Sequence, residues 1–517
     1  MKAEEFDLLL SMTALPPTGY AHANDNDKPS TSVSRLRNSR GNTTMADLPL
    51  KGIRILETSD ILALPMAMSM MADMGAEVIH IEYAGRPNFY RFLGPYPETR
   101  PDANWHDRSG AFNASNRSKL SLTLNLGSDQ GKEVFLSLVR ISDVVAENFS
   151  ARVMANFGLD YPELKKVKDD LIMLSNTGYG HSGSWRDYVG MAQVIEAATT
   201  SHLTGHPDGM PGKGGQSIMD LVVCWNIVNA VTLALFHRRR TGKGQWIDHS
   251  MLEACVPLVA GPLMDAAMNG RDQFRRGNRD AVHAPQGCYR CQGDDDWVTI
   301  SVTSDEEWSG LCQALGEPEW TRDQRFATEE GRRQHHDDLD QRIQEWTVDR
   351  DKHQVMELLQ NAGVPSGAVL NNKEVLLNPH YKERGFWELA MHPPETGIGG
   401  RYYAGRPFKM SRTPGRVRRA TAPLGYDNRY VLENLLGLSE DDILDMEDDG
   451  VVAPYLTGAE VQEMRVGNMP AGYHPAAPSG EGLVQRGDAQ SYDDNYQELL
   501  GQPGSATADE ERIPLEE

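Results

Sequence analysis

The residues with the most chemical content lie between 178 and 220. GYGHSG (178–183) has the spacing GxGxxG and follows an apolar run, LIMLSNT (171–177), that reads as a strand. A glycine turn between a strand and a helix can cradle a phosphate on its backbone N–H groups. Two observations weigh against that role here. The strand is about the fifth of the chain, whereas the dinucleotide fingerprint belongs on the first strand–helix unit. Several residues also separate the turn from a helix that starts near Gly190. A plain turn is the simpler reading. Asp220 stands in an apolar helix, IMDLVVCW. A carboxylate there is paired, caps a helix start, or works chemically.

Four basic residues lie next to predicted strands, and of these Arg86 and Arg91 are candidates for a phosphorylated ligand. Arg86 and Arg91 follow a predicted strand in EYAGRPNFYR, and Arg117 and Lys119 precede another in NRSKL. The carboxyl ends of the strands form the ligand crevice of an open α/β sheet, and guanidinium groups there suit phosphate. Scattered surface charge is the competing account. Cys288 and Cys291 form one CxxC without a second ligand pair, which reads as two thiols on a strand, not a metal site. His335 and His336 read as an exposed helix surface.

These residues need a frame, and the hydrophobic pattern supplies an α/β one. GIRILET (52–58) is a strand, ALPMAMSMMADMGA (63–76) a helix and EVIHIE (77–82) a strand. LSLTLNL (120–126), SDVVAEN (142–148) and 171–177 add strands, with a helix over GKEVFLSLVR (131–140). This alternation predicts a parallel, doubly wound sheet with right-handed crossovers. The methionine-rich helix face reads as gap-filling core. Residues 218–236 are apolar over a span-like length, but Asp220, Asn226 and Asn229 are costly in lipid, so a buried core helix is expected and no membrane partner. After about 240 shorter strands and helices read as a second, smaller α/β domain. The expected organisation is an N-terminal disordered extension (1–47), a large domain (48–255), a linker and small domain (256–385), a return segment (386–447) and an acidic disordered tail (448–517).

The chain has 517 residues and a formal net charge of −23. Residues 440–517 hold 19 Asp/Glu against 3 Lys/Arg, so most of the excess sits at one end. No basic stripe or reading motif points to nucleic acid. Five scattered cysteines form no disulfide framework, which predicts a reducing, cytoplasmic setting.

Several stretches in order resemble the family III CoA-transferases, the carnitine-dehydratase and bile-acid-inducible F type, which includes α-methylacyl-CoA racemases. They include LKGIRILE, MADMGAEVIHIE, NRSKLSLTLNL, VVAENFSARVMANFGL, SNTGYGHSGSWRD, LTGHPDGMP and AGVPSGAV, between about 48 and 446. The resemblance implies a Rossmann-like large domain with a parallel sheet plus a smaller α/β domain. It also implies two chains interlocked in a homodimer. Coenzyme A or acyl-CoA would be the substrate rather than a tightly bound cofactor, and a small carboxylic acid the acceptor. Asn116, Arg117, Ser118 and Lys119 would hold CoA, with Arg86 a substitute for an arginine the family carries at the position of Tyr83. Polar contacts of the first strand–helix loop fall on Asp60 and Leu62.

The resemblance also places a nucleophilic aspartate two residues after a glycine, where this chain reads Gly190-Met191-Ala192. The racemase version has a histidine where Met191 stands, and its second acid/base group aligns with Asp220. Glu196 lies four residues beyond Ala192, on the same helix face and one turn along. Glu196 and Asp220 are therefore the candidate catalytic carboxylates. The alternatives are direct attack by the acceptor acid, racemase-like α-carbon chemistry through Asp220, and a non-catalytic CoA-binding subunit of a heteromer with a nucleophile-bearing partner.

Overall fold

The computed structural model describes residues 48–96, 105–215 and 217–454. The 1–47 extension and the tail beyond 454 lie outside them. The central sheet has six strands: β1 (Arg54–Thr58), β2 (Glu77–Glu82), β3 (Leu120–Thr123), β4 (Val144–Glu147), β5 (Ile172–Thr177) and β6 (Trp246–Ser250). All pairings are parallel, in the order β3-β2-β1-β4-β5-β6. The chain order reverses between β1 and β4, so the switch point where such sheets bind ligands lies there.

Helices cover both faces. These are α1 (Ala63–Asp73), α2 (Gly110–Asn116), α3 (Asp129–Arg140), α4 (Val153–Phe157), α5 (Tyr161–Val167), α6 (Ala192–Ala197), α7 (Ile218–Thr241), α8 (Met251–Cys255) and α9 (Ala260–Asn269). Successive strand residues point to opposite faces. Ile55, Val78, Val144 and Ile172 accordingly pack with Met68 and Met71 of α1 and Val223 and Ile227 of α7. Leu56, Ile79, Leu122 and Val145 pack on the other side with Phe135 and Leu138 of α3 and Leu164 of α5. Val431, Leu432, Ile443 and Met446, far along the chain, join that second cluster.

The open edge of β3 is closed by the same late segment. The backbone N–H of Ser121 donates to Asp427 at 2.8 Å and that of Thr123 to Asn428 at 2.9 Å. An unpaired strand edge is thereby satisfied by side chains. A separate antiparallel sheet of β7 (Gln286–Arg290), β8 (Trp297–Ser301) and β9 (Ser366–Ala368) packs with its own helices over Trp308, Leu311, Phe326, Ile343 and Leu359. A hairpin of β10 (Trp387–Met391) and β11 (Gly400–Ala404) follows.

Two expectations need correction. His336 is buried, and its Nε2 accepts from the Gln286 N–H at 3.2 Å. Helix α7 is longer than the apolar run and only half a core helix. Met219, Val223, Cys224, Ile227 and Val231 are buried, while Ile218, Leu221, Trp225, Leu233 and Phe236 are exposed. The run is apolar all round, so its composition could not say which faces would find partners inside one chain.

Candidate active site

Three loops meet at the switch point around Asp60. Its backbone N–H donates to Asn148 Oδ1 at 3.0 Å, and Asn148 Nδ2 returns a bond to the Ile61 carbonyl at 2.9 Å. These bonds join the loops after β1 and β4. The Phe89 N–H donates to Asp60 Oδ1 at 2.8 Å and brings in the loop after β2. The Asp60 carboxyl is raised, chiefly by burial, with Arg86 among the groups that oppose this. Arg86 is exposed.

The glycine turn builds the neighbouring wall. Gly178 and Gly190 pack backbone on backbone. A Cβ at Gly178 would lie 3.0 Å from the Gly190 Cα, and one at Gly190 2.9 Å from the Gly178 Cα. Any side chain at either position would push the loop 178–190 apart. The loop is rich in outward rings, with Trp185 and Tyr188 exposed and both edge-on to Tyr179. The turn thus acts through close approach, and it delivers the chain to α6.

Helix α6 opens with Ala192, which is half-buried, and carries Glu196 one turn deeper. Glu196 is 0 % exposed, and neither carboxylate oxygen has a hydrogen-bond partner. An unpaired carboxylate costs several kcal/mol to bury, on the order of the ion's desolvation penalty. Asp220 lies on α7, against which α6 packs. Burial, then the Glu196 charge, pushes the Asp220 carboxyl up to about 6 against one backbone hydrogen bond from Ala63. Asp220 therefore caps α1 rather than its own helix, where α1 has no side-chain cap of its own. The two candidate carboxylates are brought together.

The fold adds residues that spacing did not reveal. Burial, then Asp220 and Asp60, pushes the Tyr90 phenol up to about 12. Burial, then Asp220 and Glu196, pushes the Cys255 thiol up to about 11. Glu147 ends β4 at the switch point, and burial raises its carboxyl to about 7. These residues come from separate strands and helices, and no short-range pattern links them.

The basic candidates divide. Arg91 is fully buried, and its guanidinium donates to Glu82 at 2.6 and 2.9 Å and to Asp107 at 2.7 Å while lying over the Phe112 ring. Burial would raise the Glu82 carboxyl, but Arg91 outweighs it and holds it at about 2. Arg117 pairs with Asp73 at 2.9 Å. Ser118 has φ 64° and donates to Asp73 at 2.7 Å. Lys119 pairs with Glu57 at 2.7 Å and donates to the Asn116 carbonyl oxygen Oδ1 at 2.9 Å. Burial lowers the Lys119 ammonium to about 8, with Glu57 opposing. Arg91, Arg117 and Lys119 are thus engaged by internal carboxylates beneath the crevice, and Arg86 is the exposed member of the set.

The family model described as CoA-transferase family III matches residues 50–428. The chain is 32% identical over 397 residues to the succinyl-CoA–D-citramalate CoA-transferase of Chloroflexus aurantiacus, covering 76% of this chain and 96% of that protein. It is 30% identical to the alpha subunit of a succinyl-CoA–L-malate CoA-transferase of the same organism, covering 83% and 98%. A crystal structure of a CaiB/BaiF family protein from Brucella suis superposes with a TM-score of 0.68 at 28% identity, over 75% of this chain and all of that one. The family model and these relatives match most of the chain, and the chain belongs to CoA-transferase family III.

Proposed function

We propose that this protein moves coenzyme A from an acyl-CoA to a carboxylic acid, with Glu196 as the nucleophile. The observation that carries this reading is the buried, unpartnered carboxylate of Glu196, one helical turn beyond Ala192. The carboxylate attacks the thioester carbonyl, the C–S bond breaks, and an acyl-glutamyl anhydride forms as the sulfur leaves with its electron pair. The CoA sulfur then attacks the Glu196 carboxyl carbon of the anhydride, which expels the donor acid as a carboxylate and leaves a glutamyl-CoA thioester. The acceptor carboxylate attacks that thioester, and the expelled sulfur attacks the acceptor's acyl carbon, which gives the new acyl-CoA and frees Glu196. The net exchange is one thioester and one carboxylate for another pair. A site one turn deeper than position 192 requires the thioester to enter by about 5 Å more, the pitch of a helix. Arg86 is the exposed cation at the crevice and the residue that meets a CoA phosphate.

The protein acts as a dimer in this reading. α7 and α9 present Leu233, Phe236, Leu263, Met264 and Met268 outward, an apolar surface beyond what scattered exposure explains. A second copy covers it. A heteromer is the variant suggested by the relative named as an alpha subunit.

The test is direct. The pure protein is incubated with succinyl-CoA or acetyl-CoA and candidate acids, quenched with hydroxylamine, and weighed intact. A glutamyl hydroxamate, left where hydroxylamine cleaves the anhydride or thioester, that peptide mapping places at Glu196 and that is lost in Glu196→Gln supports the assignment. Deuterium uptake at the acyl α-carbon without CoA exchange would move the activity to racemase-like chemistry at Asp220.

A further inference from the structure

We infer that Glu196 and Asp220 hold one proton between them in the resting enzyme, and that Asp220 gives this proton to the departing CoA sulfur and takes it back when CoA returns. The inference rests on the reading of Glu196 as nucleophile and assigns the second carboxylate a role of its own.

The geometry carries it. Glu196 is fully buried with both oxygens unpartnered. Asp220, on the helix packed against it, is buried and receives a backbone hydrogen bond from Ala63. No Lys or Arg among the described residues forms an ion pair with either carboxylate. The other groups that face the pair are neutral or acidic. Tyr90 follows β2, Asp60 lies after β1, and Cys255 belongs to α8. Cys224, one turn along α7, also senses Arg117 and Lys119, but these cations are committed to Asp73 and Glu57. Two ionised carboxylates cannot share such a space cheaply, so the pair is more stable with a proton on one of them. The raised Asp220 carboxyl agrees with the proton lying on its side.

The chemistry balances. Glu196 attacks as the carboxylate, and the sulfur leaves as a thiolate that accepts the Asp220 proton. The products are a neutral anhydride at Glu196, a thiol and an Asp220 carboxylate. Acylation removes the charge that opposed Asp220 ionisation, so the proton moves when the thiolate appears. In the return step the Asp220 carboxylate takes the thiol proton as the sulfur attacks. No proton enters or leaves the solvent over either half-reaction.

The experiment counts protons per adduct. The full-length protein is mixed with succinyl-CoA, with acetyl-CoA as the second donor, in weak buffer at about pH 5 with an indicator dye, below the range in which Asp220 loses its proton. Intact mass gives the amount of adduct in the same samples, and peptide mapping places it on Glu196. The wild type should form the adduct with no proton uptake. Asp220→Asn keeps an oxygen for the Ala63 N–H and should take up about one proton per adduct, because a free thiol holds its proton to about pH 8.5. Asp220→Glu restores a carboxyl and should return the uptake to zero, which separates proton transfer from a folding defect. Equal uptake in all three proteins overturns this inference and leaves Glu196 as the nucleophile. Absence of any adduct on Glu196 overturns the nucleophile and this inference with it.

Discussion

Asp220 of α7 accepts a hydrogen bond from the backbone N–H of Ala63, the first residue of α1. One carboxyl group thus closes the start of a helix at the switch point and stands beside Glu196. The positive end of α1 favours an anion there, while burial and Glu196 oppose it. The opposing effects win, since the carboxyl titrates at about 6.

A carboxylate at position 192 should be able to stand in for Glu196. Glu196→Gln alone is expected to lower the rate of CoA exchange by about a thousandfold or more. Ala192→Asp in that background places a carboxylate at the half-buried start of α6 and should restore part of the rate. Peptide mapping of the hydroxylamine-trapped adduct should then find it at position 192. An inactive double variant with an intact fold would show that the site accepts the thioester only at the deeper turn.

Glu147 makes a prediction about pH and stability. Its folded carboxyl is raised from 4.5 to about 7 by burial, against hydrogen bonds from Ser175 and the Phe149 N–H. The unfolded chain therefore loses its proton first as pH rises. Stability attributable to this group falls between about pH 4.5 and 7 and then levels off, by a total of about 3 kcal/mol. Glu147→Gln should remove that fall. Urea unfolding of both proteins at pH 5 and 8 measures it, and parallel behaviour of the two would contradict the assignment.

Arg91 should matter for folding more than for binding. Arg91→Met leaves Glu82 and Asp107 buried without their cation. The expected loss is about 3–5 kcal/mol, seen as a lower denaturation midpoint. A variant of wild-type stability with a weakened KM for acyl-CoA would place Arg91 at the ligand instead.

Arg86 should show the reverse pattern. Arg86→Ala removes an exposed guanidinium near Asp60. KM for the CoA thioester is expected to rise about tenfold, a loss of ~1.4 kcal/mol, with kcat and thermal stability unchanged. Steady-state kinetics against a dephosphorylated CoA analogue would show whether the lost contact is to phosphate.

The apolar outer faces of α7 and α9 predict a concentration-dependent assembly. Met268 is 73% exposed and Leu263 48%. Leu263→Glu with Met268→Glu should shift sedimentation from dimer to monomer, since each buried charge would be unpaired at the interface. A wild type that sediments as a monomer at high concentration would rule out this surface as a homodimer contact.

The strands were legible in the sequence because their apolar runs are short, bounded and alternate with helical periods. EVIHIE at 77–82 coincides with β2, and 171–177 covers β5. Ala192 and Glu196 could be placed on one helix face from spacing alone, and α6 has that register. Those are local properties, set by the few residues on either side.

The amino-acid sequence by itself determined the α/β alternation and the family resemblance. Only the tertiary structure decided which charges look inward. Arg91 reads as a crevice cation from its position after a strand, and Arg117 and Lys119 as CoA ligands from the family resemblance, yet each faces an internal carboxylate. It also decided that Asp220 caps α1 and meets Glu196, residues on separate helices with Tyr90 and Cys255 around them. Such pairings depend on how far-apart segments pack, and burial magnifies their charges in a way that no local pattern encodes.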